Sequence, residues 1–124
     1  MKRALPLVAS AALLAACGSG SSAPAETIPA DADLVVRAVP TIRFDAAKYG
    51  PVKAGPVVIG YDNADSVRHT LIIAKDGVKV GAFKLVVAAK GSVDSGSVTL
   101  EAGTYTLLCD VPGHSNMKAT LTVE

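Results

Sequence analysis

The feature that most constrains the fold is a series of short β-like segments separated by turn residues. Between residues 34 and 123, runs rich in Val, Ile, Leu and Thr alternate with Gly, Pro and Asp. This spacing is typical of all-β folds, and strands of this length pack as two sheets in a β-sandwich. The predicted strands are Leu34–Val39, Thr41–Asp45, Val57–Asp62, His69–Lys75, Lys79–Phe83, Ser97–Leu100, Thr104–Cys109 and Lys118–Val123. Segment Leu85–Lys90 is predicted to form a turn of helix or a crossing segment.

Three strands show which of their faces is buried. The alternation of apolar and polar residues in a strand places every second side chain on the same face. In the last strand the apolar face consists of Met117, Ala119, Leu121 and Val123. In the strand before it, the corresponding face consists of Tyr105, Leu107 and Cys109. His69 similarly shares a face with Leu71 and Ile73. We therefore expect Cys109, Met117 and His69 to point toward the core.

The N-terminus has the pattern of a bacterial export signal. Lys2 and Arg3 precede an apolar run that ends at Ala16 and is too short to cross a bilayer. The residues just before Cys17 resemble a lipobox, so we predict cleavage before Cys17 and lipid attachment to it. Plain secretion, with Cys17 discarded or unmodified, is the alternative. The predicted organisation is a signal peptide at 1–16, a lipidated flexible tether at 17–31 and one domain at 32–124.

Charge excludes one class of partner. Without Lys2 and Arg3, the 12 basic residues fall to 10 and face 11 acidic residues, so the mature chain is close to neutral. Nucleic-acid binding would need a basic face, and membrane binding through charge would need a polybasic patch. We therefore expect no nucleic-acid partner and a membrane attachment made by the lipid. We also expect a monomer.

One segment near the C-terminus carries the chemistry. Cys109, His114 and Met117 lie within nine residues, and His69 is the one other histidine in the sequence. Sulfur ligands beside imidazole favour copper, and two histidines with one cysteine and a weak axial methionine form an electron-transfer copper site. With Cys17 lipidated, Cys109 is a lone thiol that a bound metal would occupy.

The motif resembles the cupredoxins, the small blue copper proteins. In this chain the Cys109-x4-His114 segment contains a Pro-Gly-His sequence and is followed by Met117 and a terminal ATLTV strand. The azurin, auracyanin and sulfocyanin branches share the Cys-x4-His spacing. Segments 52–57 and 63–73 also resemble two conserved strands of the family. The resemblance covers most of residues 34–124. It implies a Greek-key β-sandwich with one type 1 copper held by His69, Cys109, His114 and Met117.

The sequence departs from the family in two places. The family more often has Asn after the first histidine ligand, where this chain has Thr70, so either a hydroxyl replaces the amide that stiffens the loop or the loop is looser. Only Ser115 and Asn116 separate His114 from Met117, a shorter gap than in azurin-like or sulfocyanin-like members. If Met117 points into the core instead, a backbone carbonyl or nothing takes the axial position.

The main hypothesis is a lipid-anchored protein of the bacterial cell envelope that carries single electrons between membrane redox partners. We expect no stand-alone enzyme, because the sequence shows no general base, nucleophile or open substrate site. Val111 and Pro112 could pack as ordinary turn residues or form an apolar docking rim around His114. Two alternatives stay open: copper storage or delivery through the same ligands, and a metal-free cupredoxin-like binding module.

Overall fold

The structure, a computed structural model, describes residues 27–124, and this part of the chain is all β. It contains ten strands and no helix, which confirms the predicted fold class. The strands are β1 (Leu34–Val39), β2 (Arg43–Phe44), β3 (Lys48–Val52), β4 (Gly55–Asn63), β5 (His69–Lys75), β6 (Val78–Lys79), β7 (Leu85–Val87), β8 (Val93–Leu100), β9 (Gly103–Leu108) and β10 (Lys118–Val123).

The strands form two mixed sheets. One has the order β2-β1-β4-β8, and the other has the order β3-β10-β9-β5-β6, with β7 also paired to β5. The pairs β1–β4 and β3–β10 are parallel, whereas β9 is antiparallel to both of its neighbours, β5 and β10. Parallel neighbours cannot be joined by a tight hairpin, so the chain repeatedly changes sheet and ties the two layers together.

The core lies between the sheets and follows the predicted alternation. Met117, Ala119, Leu121 and Val123 are buried, as are Tyr105, Leu107 and Cys109. His69, Leu71 and Ile73 are buried as expected, but Thr70, Ile72 and Ala74 on the opposite face of β5 are buried as well. Strand β5 is therefore enclosed on both faces, so side chains on either face can reach buried partners.

Four local expectations require correction. The strand Thr41–Asp45 shrinks to β2, because Thr41 and Ile42 have positive φ values of 73° and 57°. Strand Lys79–Phe83 is wrong beyond Lys79, since only the short β6 pairs with β5. Segment 85–87, expected to be a turn of helix or a crossing segment, is strand β7 and pairs with β5. Strand β3 went unpredicted because Gly50 and Pro51 resemble strand breakers, yet a proline is tolerated at a sheet edge.

The predicted leader and the lipidation site at Cys17 lie outside the described residues.

The segment before β1 lies against β4. The side chain of Ile28 occupies the space into which a Cβ at position 60 would project, so Gly60 permits this contact. No helix among residues 27–124 is long and apolar enough to span a bilayer.

Candidate metal centre

Strand register brings distant residues to one end of the sandwich. Strands β5 and β9 are antiparallel, with Ile72 opposite Leu108, so the start of β5 at His69 lies beside the end of β9. Cys109 directly follows β9, and Lys118 at the start of β10 pairs with Leu108. The segment 109–117, here called the ligand loop, therefore spans this end of the sheet and faces His69.

Two consecutive turns shape the ligand loop. The His114 amide donates to the Val111 carbonyl at 3.0 Å, and Gly113 between them has a φ of 88°. Proline at the second position and a positive-φ glycine at the third are typical of a type II turn. The Met117 amide then donates to His114 at 2.9 Å, and the Cys109 amide donates to the Met117 carbonyl at 3.3 Å. These bonds hold the two ends of the loop together.

Three donor atoms converge inside this loop. The ligand atoms of His69, Cys109 and His114 all lie within 4.8 Å of one another. The Cys109 Sγ is 3.5 Å from His114 Nδ1 and 4.0 Å from His69 Nδ1. With metal–nitrogen and metal–sulfur bonds of about 2.0 and 2.3 Å, as for zinc, a trigonal site needs sulfur–nitrogen separations of about 3.7 Å. The three side chains therefore fit one metal ion with little movement.

The two imidazoles differ in their surroundings. Their ring centroids are 4.9 Å apart, and both rings turn Nδ1 toward the thiol. His69 is fully buried and His114 is 8% exposed. Among residues 27–124, every buried side-chain nitrogen or oxygen has a hydrogen-bond partner. The Nε2 of His114 has no partner among these residues, so it is not one of the buried atoms. The Nε2 edge of His114 is therefore where the site meets solvent.

A buried carboxylate lies behind His69. Asp65 Oδ2 is 2.9 Å from His69 Nε2, on the side of the ring away from the thiol. The hydrogen bond from His69 is the main cause that lowers the pKa of Asp65, with backbone amides of Ser66 and Ile42 acting in the same direction against burial. Asp65 is therefore ionised at neutral pH, and it was not among the predicted site residues. Its position four residues before a candidate ligand was the one available signal.

Thr70 connects the thiol to the ligand loop. Its amide donates to Cys109 Sγ at 3.4 Å, and its Oγ1 lies 3.6 Å from the same sulfur. Oγ1 also accepts the Asp110 amide at 2.9 Å and donates to Asp110 Oδ1 at 2.5 Å. Lys84 pairs with the other oxygen of Asp110 at 2.8 Å, and this bond is the largest cause that lowers the pKa of Asp110. The hydroxyl thus takes the stiffening role expected of an asparagine.

The remaining predicted site residues lie on or near the ligand loop. Met117 is 1% exposed and belongs to the same buried cluster as Cys109, and its backbone is hydrogen-bonded to Cys109 and His114. Val111 is half-buried and contacts the core, whereas Pro112 is exposed beside it. The structure thus brings together the thiol and both imidazoles, with Met117 three residues after His114, and exposes Pro112 on the surface of the ligand loop.

No family model and no curated protein matches the sequence, but solved structures resemble the fold. Auracyanin from Roseiflexus castenholzii is 17% identical with a TM-score of 0.62, over 73% of this chain and 95% of that one. Amicyanin from Paracoccus versutus is 20% identical with a TM-score of 0.56, over 78% and 85% of the two chains. A purple cupredoxin from Nitrosopumilus maritimus is 18% identical with a TM-score of 0.55, over 74% and 100%. At these identities the likeness establishes the fold: the chain is an all-β sandwich of the cupredoxin type.

Proposed function

We propose that this protein carries single electrons by means of one type 1 copper, bound by His69, Cys109 and His114 with Met117 as the axial ligand. The observation that carries the proposal is the convergence of one donor atom each from a buried thiol and two imidazoles, all within 4.8 Å of one another, at one end of a cupredoxin sandwich. Two histidines and one cysteine with a weak axial methionine are the donor set of electron-transfer copper sites. Auracyanin A, a structural neighbour, is described as a "blue" copper protein.

The residues of the chain would keep the site nearly constant during electron transfer. Bound copper supplies the one-electron change between Cu(I) and Cu(II). Cys109 provides the thiolate, and the Thr70 amide donates to its sulfur. The turn at Gly113 and the bond between Cys109 and Met117 hold the ligand loop closed. Because the turn and the Cys109–Met117 hydrogen bond are backbone contacts, we expect them to persist whether the metal is oxidised or reduced.

The solvent-facing edge of His114 is the proposed point of electron exchange. Its Nε2 is the part of the donor set that reaches the surface, next to exposed Pro112. His69 and Cys109 are 0% and 5% exposed, so a substrate cannot reach the metal position directly. We therefore propose a carrier that docks a redox protein at this end, and not a stand-alone enzyme.

The proposed location is the bacterial cell envelope. The signal-like segment 1–16 would export the chain, and a lipid on Cys17 would anchor it to the membrane. The Ser, Gly and Pro residues that follow would let a monomeric domain stand off the bilayer and meet its redox partner. Mass spectrometry of the protein from membranes tests this: a diacylglyceryl group on Cys17 is expected, and a soluble chain without it contradicts the anchor.

Copper loading of the mature chain tests the central proposal. We expect an intense visible absorption from thiolate-to-copper charge transfer and a type 1 electron-spin-resonance signal. Cys109→Ser should abolish both, whereas Met117→Leu, which keeps the three donors, should retain the absorption with a changed potential. Absence of the absorption in the unmodified chain would contradict the copper proposal and favour a metal-free binding module.

A second measurement separates an electron carrier from a copper-delivery protein. The contacts of Thr70 with Cys109 and Asp110 favour the carrier, because they brace the site against opening. A carrier should retain Cu(I) through repeated oxidation and reduction in the presence of a competing chelator. Rapid transfer of Cu(I) to an acceptor protein, faster than oxidation by any redox partner, would instead identify delivery as the function.

A further inference from the structure

The two imidazoles of the site are held in different ways, and the difference lies in Asp65. His69 Nε2 meets the Asp65 carboxylate at 2.9 Å, and the two side chains are 0% and 9% exposed. No comparable group meets His114 Nε2 among the described residues, where that ring instead reaches solvent. A buried charge is costly to maintain, so a carboxylate persists in such a position only when it is paired and hydrogen-bonded.

Asp65 is itself held on several sides. Its Oδ1 accepts the Ser66 amide at 2.7 Å, and its own amide donates to Asn63 Oδ1 at 2.8 Å. The Asn63 side-chain amide in turn donates to the carbonyl groups of Val67 at 2.7 Å and Val87 at 3.2 Å. The turn between β4 and β5 is thus fastened to β7. Because the carboxylate cannot swing away, the position of its oxygen determines the orientation of the His69 ring.

The loop between β1 and β2 adds a further amide to this arrangement. The backbone amide of Ile42 faces the Asp65 carboxylate. Thr41 and Ile42 both have positive φ values, 73° and 57°. For β-branched residues this conformation is an outlier, and such residues persist where the surrounding structure requires them. The loop therefore has an unfavourable backbone conformation at the point where it meets the carboxylate.

We propose that Asp65 is the positioning residue for His69. It keeps the ring proton on Nε2 and leaves the Nδ1 lone pair directed at the proposed metal position beside the Cys109 sulfur. It also places a buried negative charge behind the ring. A carboxylate that accepts the outer N–H of a metal-bound histidine orients the ring and raises its basicity. The copper part of this inference rests on the proposed function. The assignment of the ring proton does not, because it concerns the metal-free chain.

The negative charge has a consequence for the reduction potential. A carboxylate near a metal stabilises the more positive oxidation state by Coulomb attraction, and the attraction is stronger where water is excluded. Asp65→Asn keeps an oxygen that can accept the Nε2–H but removes the charge. Asp65→Ala removes both. The pair of variants therefore separates the effect of the charge from the effect of ring orientation.

The first experiment measures potential and metal affinity in the mature chain. Asp65→Asn should raise the reduction potential of the copper-loaded protein, and Asp65→Ala should weaken binding of Cu(II) or Zn(II) by about 10–100-fold. Glu101→Gln is the matched control, because it removes one exposed negative charge at the opposite end of β9 and should change neither quantity. A potential and an affinity that are unchanged in both Asp65 variants would overturn the inference.

The second experiment uses the metal-free chain and ¹⁵N nuclear magnetic resonance of its two histidines at about pH 8, above the ordinary imidazole pKa of about 6.5. In the unmodified chain we expect His69 to carry its proton on Nε2, with exchange at least tenfold slower than that of His114. Asp65→Ala should speed this exchange and mix the two tautomers. A proton on Nδ1 of His69, or on both nitrogens, would contradict the inference.

The two experiments also distinguish the possible failures. If the unmodified chain does not take up copper but shows the expected His69 tautomer, the proposed function fails and the role of Asp65 in orienting the ring stands. A purely structural role for Asp65 would lower the melting temperature of Asp65→Asn without moving the tautomer, the metal affinity or the potential. That result would overturn the inference, even if the variant is less stable.

Discussion

The hydroxyl of Thr70 lies 2.9 Å from the backbone amide of Asp110, across a gap of 40 residues in sequence. This bond joins strand β5, which carries His69, to the ligand loop, which carries Cys109 and His114. The same hydroxyl contacts the Asp110 carboxylate and the Cys109 sulfur. A threonine in this position therefore makes the contacts that would otherwise require a longer amide side chain.

Replacing Thr70 with valine removes the hydroxyl and nearly conserves the volume of the side chain. The Asp110 amide then loses its acceptor, and the loss of one part-buried hydrogen bond costs about 0.5–1.5 kcal/mol. We expect a lower free energy of unfolding and faster release of Cu(I) to a chelator. Urea unfolding and stopped-flow chelation measure the two effects. Thr104→Val, at an exposed position at the far end of β9, is the control that should change neither. Unchanged release from Thr70→Val would mean that the hydroxyl does not brace the loop.

Two glycines allow backbone strain to be separated from its effect on the site. Gly113 in the ligand loop and Gly77 in the hairpin between β5 and β6 have φ values of 88° and 80°, and a Cβ at either position would meet no atom within 4 Å. Alanine at each position should therefore destabilise the fold by a similar amount, about 1–2 kcal/mol, because the left-handed conformation disfavours a Cβ.

Only one of these substitutions should alter the metal centre. We expect Gly113→Ala to change the visible spectrum of the copper-loaded protein, since the turn positions His114. Gly77→Ala should leave the spectrum unchanged, because it lies at the other end of β5. Thermal unfolding measures the shared loss of stability. Equal spectral changes in both variants would show that the spectrum responds to global stability and not to the turn.

The buried hydroxyl of Tyr61 should make the free energy of unfolding depend on pH in the alkaline range. Burial chiefly, and then the nearby Cys109, raises the pKa of Tyr61, whose hydroxyl donates to the Thr70 carbonyl at 3.1 Å. Since the folded pKa is above the unfolded value of about 10, the stabilising contribution is complete below about pH 10 and is lost as the pH rises further. The free energy of unfolding should therefore fall between pH 9 and pH 11.

Tyr61→Phe tests the assignment of this slope. Below about pH 9 the variant should be less stable than the unmodified chain by about 0.5–1.5 kcal/mol, because one hydrogen bond is lost. It should also lose less stability than the unmodified chain between pH 9 and pH 11. Urea unfolding at each pH, with tyrosinate absorbance recorded in parallel, measures both effects. An identical pH slope in the variant would assign the alkaline loss to other groups.

Several elements could be predicted because their signal is local. In β9 and β10 the alternation of apolar and polar residues identified the buried face, since a strand has a period of two. The Pro112-Gly113 pair is a local signal of the same kind, since proline followed by glycine favours a tight turn, and the structure has a turn there. Strand β7 could not be predicted in the same way. It has only three residues, and what makes it a strand is its pairing with His69, Thr70 and Leu71.

The amino-acid sequence by itself determined the chemistry of the donors: one thiol, two imidazoles and a thioether, in an order and at spacings typical of a copper site. Only the tertiary structure decided which ring nitrogens face the thiol, that Asp65 holds one ring, and that Thr70 braces the loop. The physical reason is that a residue type carries its donor atoms wherever it stands. The direction of a ring and the partner of a hydroxyl depend on neighbours that come together only when distant strands pack.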